Sequence, residues 1–203
     1  MDRSRAVIPM SDASGEITAE DVAPTVLPDD FLDSPAARAM ASFALPAYDK
    51  LPDIELYRDQ VISYVDQTLS PIAIGDGDPW LTPSMVNNYV KAGLIPAPVK
   101  KRYTRDHIAR LLVICLFKQL LPIPAVLRLM RIQTLSYPVD VSYDYVATEM
   151  SNALRTAFDP SLPPIADSAH RVTRESLLVR NAAVAFASKA LLMAYLQFTG
   201  YEG

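Results

Sequence analysis

The sequence predicts an all-α fold, and three observations predict it. Six glycines against seventeen prolines favour helices with sharp stops over hairpins and tight turns. Apolar residues recur at helical spacing in segment after segment. Thr, Pro and Gly stand where helix starts and ends require them. With 203 residues, half of them hydrophobic, the chain is long enough for one sizeable core.

The elements follow in order. Residues 1–47 are acidic, rich in Pro, Ser and Ala, and without a sustained period. They read as a mobile tail, either a solvated leader or a competitor for a basic surface elsewhere in the chain. Ile54, Tyr57, Val61, Tyr64, Val65 and Leu69 approach i, i+3/i+4 spacing and predict an amphipathic helix, with Asp53 as N-cap after Pro52. The stretch from Ser70 to Trp80 is a loop of Gly, Pro and Asp.

A short helix then has clear punctuation: Thr82 as N-cap, Pro83 at the first helical position and Gly93 at the C-terminal cap. Met85, Val86, Tyr89 and Val90 form its apolar face. Ser84, Asn87, Asn88 and Lys91 form a second face, polar but free of acid. "LIPAPVKKRY" is extended by its prolines, and Lys100, Lys101 and Arg102 follow one another, so their charges cannot all fold back onto one partner.

Thr104 caps a helix to about Leu121, with Asp106 near its positive end. Ile108, Leu111, Leu112, Ile114, Cys115, Leu116 and Phe117 make it apolar nearly all round, a central core helix. Pro124 opens a helix with Val126, Leu127, Leu129 and Met130 inside and Arg128 and Arg131 outside. "SYDYVATEMSNALRTAF" is helical and ends at a Pro-rich break. Last comes "TRESLLVRNAAVAFASKALLMAYLQF", whose broad Ala-rich apolar surface serves either a dimer interface or packing within the chain.

Charge is distributed unevenly. The net charge is −4, yet the first 80 residues carry 5 basic and 15 acidic side chains. From Leu81 to Arg131 there are 9 basic residues, and Asp106 is the sole acid. Positive potential is therefore concentrated in one quarter of the chain.

Other function classes find little footing. Cys115 is the single cysteine, which excludes an intramolecular disulfide and a cysteine-based zinc site. His107 and His170 have no Cys, Ser or carboxylate arrangement beside them, and His107, in a first helical turn, reads as a polar surface residue. Asp140 and Asp144 share a helix face but read as solvated, and "GDGDP" lacks the spacing and the Lys of a phosphate loop. No catalysis and no cofactor is expected. The N-terminal residues show no apolar signal core, and the longest apolar run, broken by Lys189, is short for a membrane span, so a cytoplasmic setting is expected.

"NNYVKAGLIPAPVKKRYTRDHIARL" resembles the MerR-type winged helix-turn-helix: a short recognition helix, a Pro-containing basic wing, an R-x-Y element and a helix opened by Ser or Thr. "LPDIELYRDQV", "LTPSMVNNYVKAGLIPAPVKKRY" and "ICLFKQLLPI" are similar to the bacterial domain of unknown function 1836, over about Leu45 to Met130. The recognition-helix arginine usual in MerR-type proteins is Asn87 here, and the usual preceding helix is replaced by the loop Ser70 to Trp80. The resemblance implies residues 48–135 as the helix-turn-helix domain and residues 136–203 as a helical segment for homodimerisation.

It also implies double-stranded DNA as partner and transcriptional regulation as the job. Ser84, Asn87 and Asn88 then face base edges, since Asn pairs bidentately with adenine. Lys91, Lys100, Lys101, Arg102 and Arg105 neutralise phosphates, and Tyr103 either packs at the wing base or donates to a phosphate. The alternative is a protein-interaction module that keeps the fold without binding DNA.

Overall fold

The computed structural model describes residues 27–74, 79–163 and 165–200. Among the described residues it is mostly helical, with eight helices and one two-stranded ribbon. These are α1 (Asp29–Leu32), α2 (Pro35–Ser42), β1 (Leu56–Tyr57), α3 (Arg58–Leu69), α4 (Pro83–Lys91), β2 (Arg102–Tyr103), α5 (Arg105–Phe117), α6 (Ile123–Ser136), α7 (Val139–Phe158) and α8 (Arg174–Phe198).

The core is built round α5. From His107 to its end only Arg110 escapes burial, as a helix apolar on every side requires. α3, α7, α8 and β2 all pack on it. It stops at Phe117, short of Leu121, because Pro122 lacks an N–H and pushes the residue before it out of the helical region. α6 buries Val126, Leu129 and Met130 and leaves Arg128 and Arg131 exposed, as the periodicity predicts.

Two expectations near the start of the chain need correction. The first concerns the tail. Residues 1–26 lie outside the described residues, but from Leu27 onward the segment is folded. Ser34 caps α2 by accepting from the Ala37 amide at 3.2 Å, and Phe31, Ala37, Met40, Phe43 and Leu45 are buried. Phe31 meets Tyr195 and Phe198 edge-on, with centroids 5.2 and 5.4 Å away. The acids Asp29, Asp30 and Asp33 give the segment its disordered look while its apolar residues face inward.

The second concerns the first long helix, which starts at Arg58 and not after Asp53. Residues 56 and 57 are used instead in the ribbon, Leu56 opposite Tyr103 and Tyr57 opposite Arg102, antiparallel. Ile54 and Tyr57 are therefore exposed, while Val61, Val65 and Leu69 are buried as predicted. The Gln60 side chain accepts from the Tyr57 amide at 2.9 Å and caps the helix from inside.

A 3-10 turn, Tyr48–Lys50, ties the start of the domain to α5 and α7. The Tyr48 amide donates to Asp144 at 2.7 Å and its hydroxyl to Asp106. Asp144 is thus a structural acceptor and not merely solvated. Burial, then the Asp106 hydrogen bond, pushes the Tyr48 phenol up to about 12.

α8 runs along α7 and buries Val179, Ala183, Phe186, Ala187 and Ala190. Glu149 of α7, 2% exposed, accepts from Arg180 at 2.9 Å and from the Ser168 amide at 2.9 Å and hydroxyl at 2.6 Å. These bonds hold the α7–α8 connection down. At 25 residues, with mean hydropathy 1.5 over its most apolar window, α8 is by length and composition alone long and apolar enough to cross a membrane. One third of that window is buried in the fold.

Because Phe31 is wholly enclosed, Phe31→Ala is expected to cost about 3–5 kcal/mol in urea denaturation. An unchanged midpoint would mean that α1 is not part of the core.

Candidate nucleic-acid interface

α4 is positioned from both ends. Thr82 Oγ1 accepts from the Met85 amide at 3.2 Å. At the other end Gly93 takes φ +71, the Leu94 amide reaches the Tyr89 carbonyl at 2.9 Å and the Gly93 amide the Val90 carbonyl at 3.0 Å. That pair of bonds is a Schellman cap, and it turns the chain sharply toward the basic stretch. Val86 and Tyr89 are buried, Met85 and Val90 partly so. Ser84, Asn87, Asn88 and Lys91 are all exposed.

Behind α4, the Trp80 carbonyl accepts from Lys118 Nζ and from Cys115 Sγ, the latter at 3.2 Å. Lys118 also lies 3.6 Å from Met85 Sδ, so one of the nine basic residues is used inside the fold. Burial pushes the Cys115 thiol up to about 12, which leaves it inert.

The basic stretch after α4 forms a hairpin closed without glycine. Val99 bridges Arg102, whose amide donates back to the Val99 carbonyl at 2.9 Å. Between them Lys100 and Lys101 have φ of 49 and 61. Positive φ at both central residues is what a two-residue primed turn demands, and Asn-Gly is its usual sequence. For residues with a Cβ this conformation costs about 1–2 kcal/mol each. Both lysines are exposed at the tip.

The remaining candidates support the hairpin. The Arg102 guanidinium stacks on the Tyr57 ring, 3.9 Å from its centroid, and reaches the Glu55 carbonyl at 3.4 Å. Tyr103 is buried and meets the His107 ring edge-on at 5.4 Å. It lies at the base of the hairpin. Arg105 is half-buried, 5.5 Å from the Tyr48 ring centroid. Tyr48, and the role of Tyr57 as a stacking partner, escaped the sequence reading because their partners lie far downstream.

His107 is not a surface residue. It is 6% exposed, and its Nδ1 accepts from the Thr104 amide at 3.1 Å in a reciprocal cap. Burial lowers its pKa below the ordinary 6.5; the Pro96 carbonyl and Asp106 oppose that shift, and Arg110 adds to it.

The electrostatics are distinctive. Among the described residues, none of the nine basic side chains from Leu81 to Arg131 forms an ion pair. Asp106, the local acid, is engaged by Tyr48. Lys91, Lys100 and Lys101 are thus exposed, and none of them has a carboxylate partner. Also among the described residues, no group of three or more His, Cys, Asp or Glu is placed to hold a metal ion.

Residues 46–146 match the family described as domain of unknown function (DUF1836). This span of the chain is similar to that family. Its match extends past Met130 into α7, and the geometry gives the reason. Tyr143 donates to the Pro46 carbonyl at 3.0 Å, and Asp144 takes the Tyr48 amide, so the first turns of α7 close the domain's start. No curated protein and no solved structure matches the chain.

Two measurements test this geometry. Lys100→Asn/Lys101→Gly relieves both positive-φ side chains and is expected to raise stability by about 1–2 kcal/mol. An unchanged or lower melting temperature would show that the turn is not strained. For His107, the depressed folded pKa means that the unfolded chain binds the proton more tightly. Its contribution is complete above pH 6.5 and is lost as pH falls below that value toward the lower folded pKa. The melting temperature should drop between pH 7.5 and 5.5, and drop less in His107→Gln, whose amide keeps the cap. Equal drops in both proteins would assign the pH dependence elsewhere.

Proposed function

We propose that the DUF1836-like domain binds double-stranded DNA as a MerR-like winged helix-turn-helix, and that the protein is a non-catalytic cytoplasmic transcriptional regulator. The observation that carries this reading is the pairing of an exposed, acid-free amide stripe on α4 with a hairpin tip of two unpaired lysines. α4 enters the major groove with Asn87 and Asn88 toward base edges and Ser84 beside them. Lys91, Lys100 and Lys101 neutralise phosphates and fix register, while Arg102 and Arg105 add field from their stacked positions.

The retained strain supports the same reading. Asn-Gly at the tip would relax the turn but remove both charges. Strained backbone clusters where it serves function.

The test is fluorescence anisotropy of labelled promoter DNA across several salt concentrations. Wild type should bind with log K falling steeply against log salt, and Lys100→Ala/Lys101→Ala should make that slope shallower by about 1–2. Asn88→Ala should lose preference for one sequence while keeping the slope. No binding at low salt would remove the DNA reading.

One observation favours the alternative, a protein-interaction module. Val99 and Tyr57, next to the basic tip, are 71% and 51% exposed. Apolar side chains beside lysines suit an acidic protein partner as well as a phosphate backbone, and failure of the titration would select that reading.

A further inference from the structure

The junction of α5, α6 and α7 holds a partly open cavity of about 20 Å³. Its polar walls are Arg110 of α5, Gln133 and Thr134 of α6, and Ser142 in the first turn of α7, with Val139 at that helix's start. A space of that size admits a single water, or one oxygen-bearing head of a larger molecule whose remainder lies in the open mouth.

The donors round it are out of proportion to a water. Gln133 is 8% exposed, yet its side-chain amide makes no hydrogen bond among the described residues. An enclosed amide left unpaired is a cost that a guest removes. The Arg110 guanidinium reaches Thr134 Oγ1 at 3.3 Å through Nη1, while its Nε is buried without a partner and no carboxylate pairs with it. The third donor is the end of a helix. α7 is 20 residues long and no side chain caps its N-terminus, so its leading amides are orphan donors at a positive dipole end.

Nothing on the walls opposes a negative guest. No acid lines the cavity. Asp106, one turn before Arg110, is engaged by the Tyr48 hydroxyl, and Asp140, beside Val139, acts on the same phenol. The Thr134 and Ser142 hydroxyls donate to the Met130 and Val139 carbonyls, at 2.8 and 3.1 Å. The guanidinium, the Gln133 amide and the helix end are therefore the donors left over. A fixed cation, an amide and a helix N-terminus round one small space is the chemistry that selects an oxyanion.

We infer that this cavity binds the phosphate or carboxylate group of a small anionic molecule, with Arg110, Gln133 and the first turn of α7 as its donors. Such a guest ties α5, which carries the hairpin, to α6 and α7, so occupancy braces that three-helix junction. The inference does not depend on DNA binding.

The test is amide NMR of the full chain, titrated with inorganic phosphate and separately with acetate. The Gln133 side-chain amide, assigned by its absence from Gln133→Met, should shift and saturate with at least one of the two anions. Which anion does so names the group. Arg110→Met should weaken that binding about tenfold or more, the loss of one charge-assisted hydrogen bond. Arg110→Lys, which keeps the charge, should recover part of it. Gln133→Met, with helical circular dichroism unchanged, should weaken phosphate or acetate binding read from the backbone amides of Val139 and Asp140.

A Gln133 amide that does not respond to either anion up to tens of millimolar assigns the cavity to a water and overturns the proposal. So does a response equal in wild type and Arg110→Met, since the anion then sits elsewhere.

Discussion

A helix with no polar face cannot lie on a surface, and α5 is such a helix. Its burial from His107 to Phe117 obliges the chain to supply cover on every side: α3, α7 and α8 along its length, the ribbon at its start. Each large side chain enclosed is worth roughly 1.5–3 kcal/mol, so no arrangement that exposes α5 competes. The first turn of α5 is also where polar attachments converge. Thr104 and His107 cap each other, Asp106 takes the Tyr48 hydroxyl, and Tyr103 packs on His107. The hairpin is therefore mounted on the buried core helix, and the start of the domain is fastened to the same turn.

The candidate interface spends stability that the core can spare. Lysines at positive φ and basic side chains without carboxylate partners both raise the energy of the free protein. A phosphate backbone relieves the second cost and leaves the first unchanged, so the strain is set against whatever the tip contacts. Stacking under Arg102 restores some order, since a guanidinium on an exposed aromatic ring contributes about 0.5–1 kcal/mol. The charges furthest from such support, Lys100 and Lys101, are the ones most open to a partner.

The α7–α8 half handles charge in the opposite way. Arg180 and Lys189 are drawn inward, and Glu149 is buried to receive one of them. A buried ion pair with its spare oxygen satisfied by Ser168 adds little net stability, but removing either partner strands the other. Its evident consequence is geometric. It pins the connection between the two helices and leaves the outer face of α8 without charge.

The sequence by itself determined many of the features whose cause is local. Periodicity named the helices from α3 onward and the buried core of α5, though not α1 and α2. Thr82, Pro83 and Gly93 bounded α4, because caps satisfy orphan backbone groups within a few residues of themselves. The exposure of Ser84, Asn87, Asn88 and Lys91 followed from the same periodicity. Only the tertiary structure decided what depends on residues far apart. Asp53 looked like an N-cap until the pairing of Leu56 with Tyr103 moved the start of α3, and His107 looked like a surface residue until the ribbon covered it. The acids of α1 hid a fully enclosed Phe31. The hairpin at Lys100 and Lys101 carried no turn signal, because its conformation is imposed by the strands on either side and not by its own residues. Local chemistry reads in one dimension; burial, stacking and imposed strain exist only once distant segments meet.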